Sequence, residues 1–119
     1  MGVIDLPFLH SRYFAVRGDG AYLNDRRIHT SKAARLSDAV VSVGDYAVGV
    51  AAHQVNTALL AITAQLAARA ERVRMFGSAA IDLAWLADGR TDACIRRLMR
   101  NAFQWKVINC MLAGRRGGR

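Results

Sequence analysis

The sequence predicts an α/β fold, with an N-terminal β-meander followed by strand, helix, strand, helix and strand. Three observations lead there. The first thirty residues alternate short aromatic and β-branched runs with tight turn signals. A β-branched run, a long alanine-rich stretch with helical spacing and two further short strands come next, with a second helix between the strands. Finally, 53% of the 119 residues are hydrophobic and there is one proline, a composition that supports a packed core and excludes a disordered or linker chain. The length suits one domain or part of a larger one.

Residues 2–5 and 12–17 read as the first two strands, with Tyr13, Phe14 and Val16 supplying the aromatic and β-branched content and Pro7 lying in the connection. Arg17-Gly18-Asp19-Gly20 is a turn, because glycines around an aspartate permit positive φ. The same letters spell an integrin-recognition tripeptide, but a hairpin turn accounts for them without a partner. Asn24-Asp25 is a second turn, between Tyr22-Leu23 and Arg26-Arg27-Ile28.

Residues 38–43 form the most strand-like run in the chain, apolar on both faces, as expected of a covered central strand. A long helix is expected after Gly49. Val48, Val55, Leu59, Ile62 and Leu66 are spaced to share one face, and the helix should end near Arg69–Arg72, where cations suit the negative end of the dipole. Residues 73–76 read as a short strand running straight into Gly77-Ser78. Ser78 is the expected N-cap of a helix over Ala79–Ala87, which Asp88-Gly89 closes. A last strand is expected over Thr91–Ile95.

The net charge is +8, from 17 Lys+Arg against 9 Asp+Glu, which in bulk suggests an anionic partner. Its distribution along the chain changes that inference. Arg96, Arg97, Arg100, Lys106, Arg115, Arg116 and Arg119 follow one another with no acidic residue between them, so residues 1–95 are almost neutral. The chain therefore divides into an α/β region over 1–95 and a basic segment over 96–119. That segment, with Phe103 and Trp105 as stacking surfaces, supports an alternative function class, a non-enzymatic module binding nucleic acid. No zinc-finger, helix-turn-helix or RNP pattern accompanies it, so nucleic acid is disfavoured as a partner.

The N-terminus lacks a basic region followed by an apolar one, which argues against a secretory signal. Polar residues interrupt the apolar stretch from Val48 to Ala68, which argues against a membrane span. The thiols Cys94 and Cys110 fit a reducing cytoplasm and small core positions. His10, His29 and His53 are too scattered to form a zinc site, and Asp82 and Asp88 point in different directions on one helix, so no acid–base pair is expected.

The strand-Gly77-Ser78-helix junction is the most function-like local feature. A glycine admits close approach to a ligand, and the first N–H groups of a helix favour an anion. On spacing alone, a turn plus an N-cap is the favoured account, because strand-to-helix junctions of this kind are common.

Two longer segments add to this. Phe14-Ala-Val-Arg-Gly-Asp-Gly-Ala-Tyr-Leu-Asn-Asp-Arg-Arg-Ile28 resembles the A-x-x-G-x-G-A-x-x-N-G-x-x-I hairpin of the inositol monophosphatase family. Phe76-Gly-Ser-Ala-Ala-Ile-Asp-Leu-Ala-Trp-Leu-Ala-Asp-Gly-Arg-Thr-Asp-Ala93 is similar to the family's G-[ST]-A-A-x-x-x-x-x-[VL]-A-x-G-x-x-D-A segment. The resemblance, bacterial in type, implies the C-terminal half of a layered αβαβα sandwich phosphatase. By implication the activity is Mg²⁺-dependent hydrolysis of a small phosphate monoester, inositol monophosphate by default, and a homodimer is a possible state.

The same resemblance makes Gly77, Ser78 and Ala79 the substrate-binding candidates. It offers no catalytic or metal-binding residue in this chain. The family's D-P-[IL]-D-G-T motif is absent, Lys106 stands where W-D-x-A-A-G would place a metal-binding aspartate, and Arg96 stands about where an acidic substrate contact is usual. The chain therefore reads as a truncated or degenerate copy that binds no Mg²⁺ alone and hydrolyses nothing. Uncovered apolar surface and strand edges should make it self-associate.

Overall fold

The computed structural model describes residues 1–96. Strands β1 (Gly2–Leu6), β2 (Ser11–Val16), β3 (Gly20–Leu23) and β4 (Arg26–Ile28) form an antiparallel meander in sequential order. Its reversals use the expected residues. Gly18 and Gly20 lie at φ 83° and 121°, and Asn24 turns the third hairpin at φ 51°. The Asn24 side chain also ties the hairpins together, accepting from the Arg12 N–H at 3.0 Å and donating to the His10 carbonyl at 3.1 Å.

Register places Ile4, Tyr13 and Leu23 opposite one another, with Ala15, Ala21 and Ile28 forming the neighbouring row. All six are buried, so one face of the meander is core. Alternation sends Val3, Phe14, Val16 and Tyr22 to the opposite face.

The second sheet is parallel. β5 (Val40–Val43) lies between β6 (Arg72–Arg74) and β7 (Ala93–Ile95), as its two-sided apolarity predicts. Val41, Ser42 and Val43 are almost completely buried. Asp92 joins β7 to the start of β5. Its carboxylate accepts from the Val40 N–H at 2.7 Å, and its own N–H donates to the Val40 carbonyl at 2.9 Å.

Helix α2 (Ala79–Ala87) matches the expected span, with Ser78 as N-cap and Gly89 in the left-handed region just beyond its end. It carries a single charge, Asp82, in nine residues. An apolar helix of this kind belongs between layers. Ala84 and Ala87 pack into the core of the meander, while Asp82 meets Arg96 beyond the end of β7. Helix α1 (Ala52–Arg69) packs with the parallel sheet, giving a succession of α1, parallel sheet, α2 and meander. This is the layered α/β sandwich that the sequence implies.

The structure corrects several boundaries. The β5 strand begins at Val40 rather than 38, because Leu36–Asp38 form a 3-10 turn. β6 covers 72–74 rather than 73–76, and β7 only 93–95. The expected buried face of α1 is also reduced. Val48 precedes the helix and is 93% exposed, Ile62 is 41% exposed, and within α1 only Leu66 is buried. The cause is geometric. An 18-residue helix spans about 27 Å, whereas strands of three or four residues span only about 10–14 Å. The sheet covers the C-terminal part of α1, where Leu59 and Leu66 meet Val41, Val43 and Val73.

Candidate functional site

The three parallel strands end at one edge, delivering Gly44-Asp45 after β5, the segment into Gly77-Ser78 after β6, and Arg96 after β7. In open α/β sheets the carboxyl ends of the strands are the usual location of a site. The N-terminus of α2 opens at the same edge.

Gly77 has φ 73°, a left-handed conformation that makes glycine the natural residue there. A Cβ at Gly77 would lie 3.9 Å from both Asp45 carboxylate oxygens, which puts that carboxylate directly beside the turn. Ser78 is extended, and its Oγ accepts from the Ile81 N–H at 3.4 Å while its carbonyl accepts from the Asp82 N–H at 3.0 Å. The N–H groups of Ala79 and Ala80 have no acceptor within the helix and face the partially positive end of its dipole. The three residues singled out in the sequence thus form one continuous turn, with the Ser78 hydroxyl engaged in capping.

Behind the turn lies a buried charge pair. Asp82 is completely buried, and its Oδ2 accepts from Arg96 Nη1, whose side chain is 16% exposed. Gly44 lets Arg96 lie flat, since a Cβ there would sit 3.3 Å from Arg96 Cγ. Burial pushes the Asp82 carboxyl above its ordinary range, Arg96 opposes this, and the nearby Asp45 charge adds to the rise. Cys94, opposite Ser42 on the neighbouring strand, is raised by burial as well. Ser42 is fully buried, and its hydroxyl favours the ionised forms of both neighbours. It completes no hydrogen bond of ordinary geometry among the described residues, so it acts as a nearby dipole.

Beside Arg96, a cleft of about 190 Å³ is walled by Val55, Leu59 and Ile95, with Asp45, Ala47 and Arg96 at its rim. Asn56 fixes that rim. Its Oδ1 accepts from the Ala47 N–H at 2.7 Å, and its Nδ2 donates to the Ala47 carbonyl at 2.8 Å. Tyr46 donates to Thr63 Oγ1 on the next turns of α1 at 3.0 Å.

The aspartates in and after α2 do separate work. Asp82 holds Arg96, Asp88 accepts from Arg26 at 3.2 Å and Arg90 at 2.9 Å, and Asp92 joins two strands. Among the described residues no three His, Cys, Asp or Glu side chains converge as a metal site. The donor set described therefore does not fit a catalytic Mg²⁺, which requires several oxygen ligands. Lys106 and the rest of the basic segment lie outside the described residues. Sequence reasoning missed Asp45 and the partnership of Asp82 with Arg96. The available signal was a lone acid in an apolar helix, which demands a counter-ion.

A parallel sheet backed by helices, with a Gly-Ser turn into a helix N-terminus at its carboxyl edge and an antiparallel meander beyond, defines a layered α/β sandwich. The chain belongs to the inositol monophosphatase family, whose model matches residues 1–105. It is 38% identical over 91 residues to the inositol-1-monophosphatase of Mesorhizobium japonicum, covering 76% of this chain and 33% of that one. It is 34% identical over 116 residues to the Nus factor SuhB of Xylella fastidiosa, covering 98% of this chain and 40% of that protein. The crystal structure of extragenic suppressor protein suhB from Bartonella henselae superposes with a TM-score of 0.80 at 32% identity, covering 92% of this chain and 40% of that one. The match is to the C-terminal portion of the family, and the chain spans about a third of the length of its Mesorhizobium relative.

Proposed function

We propose that this chain supplies the substrate-facing turn of a small-phosphomonoester hydrolase of the inositol monophosphate type, and that it hydrolyses nothing by itself. One observation carries the reading: the carboxylate buried in the first turn of α2, Asp82, is engaged by the Arg96 guanidinium. In the family as a whole, Mg²⁺ would activate water and neutralise phosphate charge. The described residues do not fit that ion, so no step is assigned to it here.

The chain's own contribution is positioning. Gly77 turns the backbone so that the Ala79 and Ala80 N–H groups present donors to an anionic or hydroxylated ligand. Asp45, beside Gly77, favours the hydroxyl groups of such a ligand over its phosphate, because a carboxylate accepts hydrogen bonds and repels anions. The same reading places the chain in the cytoplasm, with a small phosphorylated substrate rather than a nucleic acid as ligand, and includes weak self-association through exposed Phe8, Val48 and Val50. Among the described residues no helix is long and apolar enough to cross a membrane.

The test is an assay of purified chain with inositol 1-phosphate and excess Mg²⁺. Phosphate release at the no-enzyme rate is expected. Turnover that persists through repurification and scales with chain concentration overturns the inactivity.

A further inference from the structure

Two Asp-Gly dipeptides occur in the chain, Asp19-Gly20 and Asp88-Gly89. An aspartate followed by glycine is prone to ring closure, because glycine has no side chain to hinder its backbone nitrogen as it approaches the neighbouring carboxyl. The fold gives the two copies opposite surroundings.

Asp88 is locked in place. Its side chain is 4% exposed and accepts from Arg26 at 3.2 Å and from Arg90 at 2.9 Å. The Gly89 N–H donates to the Leu86 carbonyl at 3.3 Å, and backbone atoms of His29 and Ser31 close over Gly89. Ring closure there needs both ion pairs broken and the N–H withdrawn at once, which amounts to a local opening of the end of α2.

Asp19 has none of these restraints. It is the last of three exposed residues, Arg17, Gly18 and Asp19, that connect β2 to β3. Its N–H closes the turn on the Val16 carbonyl at 3.1 Å, while its carboxylate has no hydrogen-bond or ion-pair partner among the described residues. Glycines at φ 83° and 121° flank it and leave the backbone free to bring that carboxyl onto the Gly20 nitrogen. Asn24, a turn residue open to related chemistry, has both ends of its amide held, by the Arg12 N–H and the His10 carbonyl.

We propose that Asp19 is a site of spontaneous isomerisation to isoaspartate and that the fold protects Asp88. The Gly20 nitrogen attacks Asp19 Cγ. A bond forms between them, the nitrogen gives up its proton, and the carboxyl hydroxyl leaves with a proton as water. The product is a five-membered succinimide. Solvent water then adds to one ring carbonyl and breaks its bond to nitrogen. Opening at Cγ restores aspartate, whereas opening at the α-carbonyl leaves Gly20 joined through Cγ and the α-carboxylate free. One water is lost and one regained, so the mass is unchanged.

Register locates the consequence. The main chain gains one methylene immediately before Gly20, the residue whose pairing with Val16 closes the hairpin. That pair must open or distort. The next pair inward, Ala15 with Ala21, is buried in the core and holds the rest of the register. The change is therefore confined to the hairpin tip.

The experiment ages the full 119-residue chain in warm, mildly acidic buffer, once folded and once in guanidinium, with circular dichroism as the check on folding. Tryptic peptides 18–26 and 75–90 separate the two sites, and electron-transfer fragmentation with isoaspartate methyltransferase labelling reads the product. In the folded chain isoaspartate should accumulate at Asp19 about tenfold faster than at Asp88, and in guanidinium the two rates should converge. Asp19→Glu should clear the signal from its peptide, because the six-membered ring that glutamate requires closes far more slowly. Equal rates at the two sites in the folded chain overturn the proposal. So does a signal in peptide 18–26 that survives Asp19→Glu, or isoaspartate at Asp19 only in guanidinium. None of these readouts depends on phosphatase activity.

Discussion

Arg96, the first residue beyond β7, donates to the Asp82 carboxylate in the first turn of α2, and Asp82 has no contact with solvent. Two consecutive layers of the fold, the parallel sheet and the helix beneath it, are thus joined by one charge pair at the edge where a ligand would arrive. Such a pair is weak evidence for net stability, because desolvation offsets much of the attraction. Removing one partner is a different matter, since it leaves a charge buried without compensation.

Arg96→Met should therefore destabilise the chain at pH 7 by about 3–5 kcal/mol, the usual cost of orphaning one member of a buried pair. Asp82→Asn in the same chain should recover a large part of that loss by removing the stranded charge. Urea unfolding followed by circular dichroism measures both. Equal stability of Arg96→Met and the unaltered chain would show that the pair carries no structural load.

The same carboxylate sets a pH dependence. Burial holds the folded-state pKa of Asp82 above its ordinary value of 3.8 despite Arg96. Between the two values the folded chain binds more proton than the unfolded one, so stability from this group falls as pH rises. The contribution is fully present below 3.8 and is lost as pH passes through the folded-state value. Melting temperatures of the unaltered chain and Asp82→Asn, compared from pH 3.5 to 7, should diverge in favour of the variant with rising pH. A difference that stays constant across the range contradicts the raised pKa.

Asn56 offers a test of how the rim of the cleft is held. Its amide satisfies both the N–H and the carbonyl of Ala47, a double bond pattern that no other residue type of that length reproduces except in part. Asn56→Ala should cost about 1–3 kcal/mol, the range for leaving backbone groups unsatisfied. Asn56→Asp should not restore it, because the carboxylate cannot donate to the Ala47 carbonyl. Hydrogen exchange at the Ala47 N–H gives a local readout, which should accelerate relative to β5 in Asn56→Ala and much less in Asn56→Asp, whose carboxylate still accepts from that N–H.

Much of this fold was legible because its punctuation is local. Gly18, Gly20, Asn24 and Gly89 adopt the positive φ that their residue types permit, and Ser78 caps the helix it precedes. The α2 span followed from Ser78 and Gly89 alone. The core face of α1 was misjudged because spacing says which residues share a face and not whether the opposing sheet is wide enough to cover them. The turn at Gly77, Ser78 and Ala79 was visible as a pattern. Asp45 was not, since its place beside Gly77 depends on β5 and β6 being adjacent and parallel, a long-range pairing that no local signal encodes. Arg96 was read as a departure from the family pattern, yet its structural partner lies fourteen residues back on another element.

Two glycines with nearly the same backbone angle separate conformational cost from steric cost. Gly77 at φ 73° and Gly89 at φ 75° both lie in the left-handed region, where an alanine costs roughly 1–2 kcal/mol. Their surroundings differ. A Cβ on Gly77 reaches only the Asp45 carboxylate, at an ordinary 3.9 Å. On Gly89 it would stand 3.2 Å from the His29 carbonyl oxygen and 3.2 Å from the Ser31 N, both backbone atoms of the chain leaving β4. Those atoms cannot swing aside as a side-chain tip would, so the backbone after β4 must shift or the end of α2 must lift. Gly89→Ala should therefore destabilise the chain more than Gly77→Ala, and Gly77→Asn should recover part of the loss at its site because asparagine tolerates the left-handed region. Chemical denaturation of the three variants ranks them. If Gly77→Ala proves the more damaging, the turn beside Asp45 is packed more tightly than its geometry indicates.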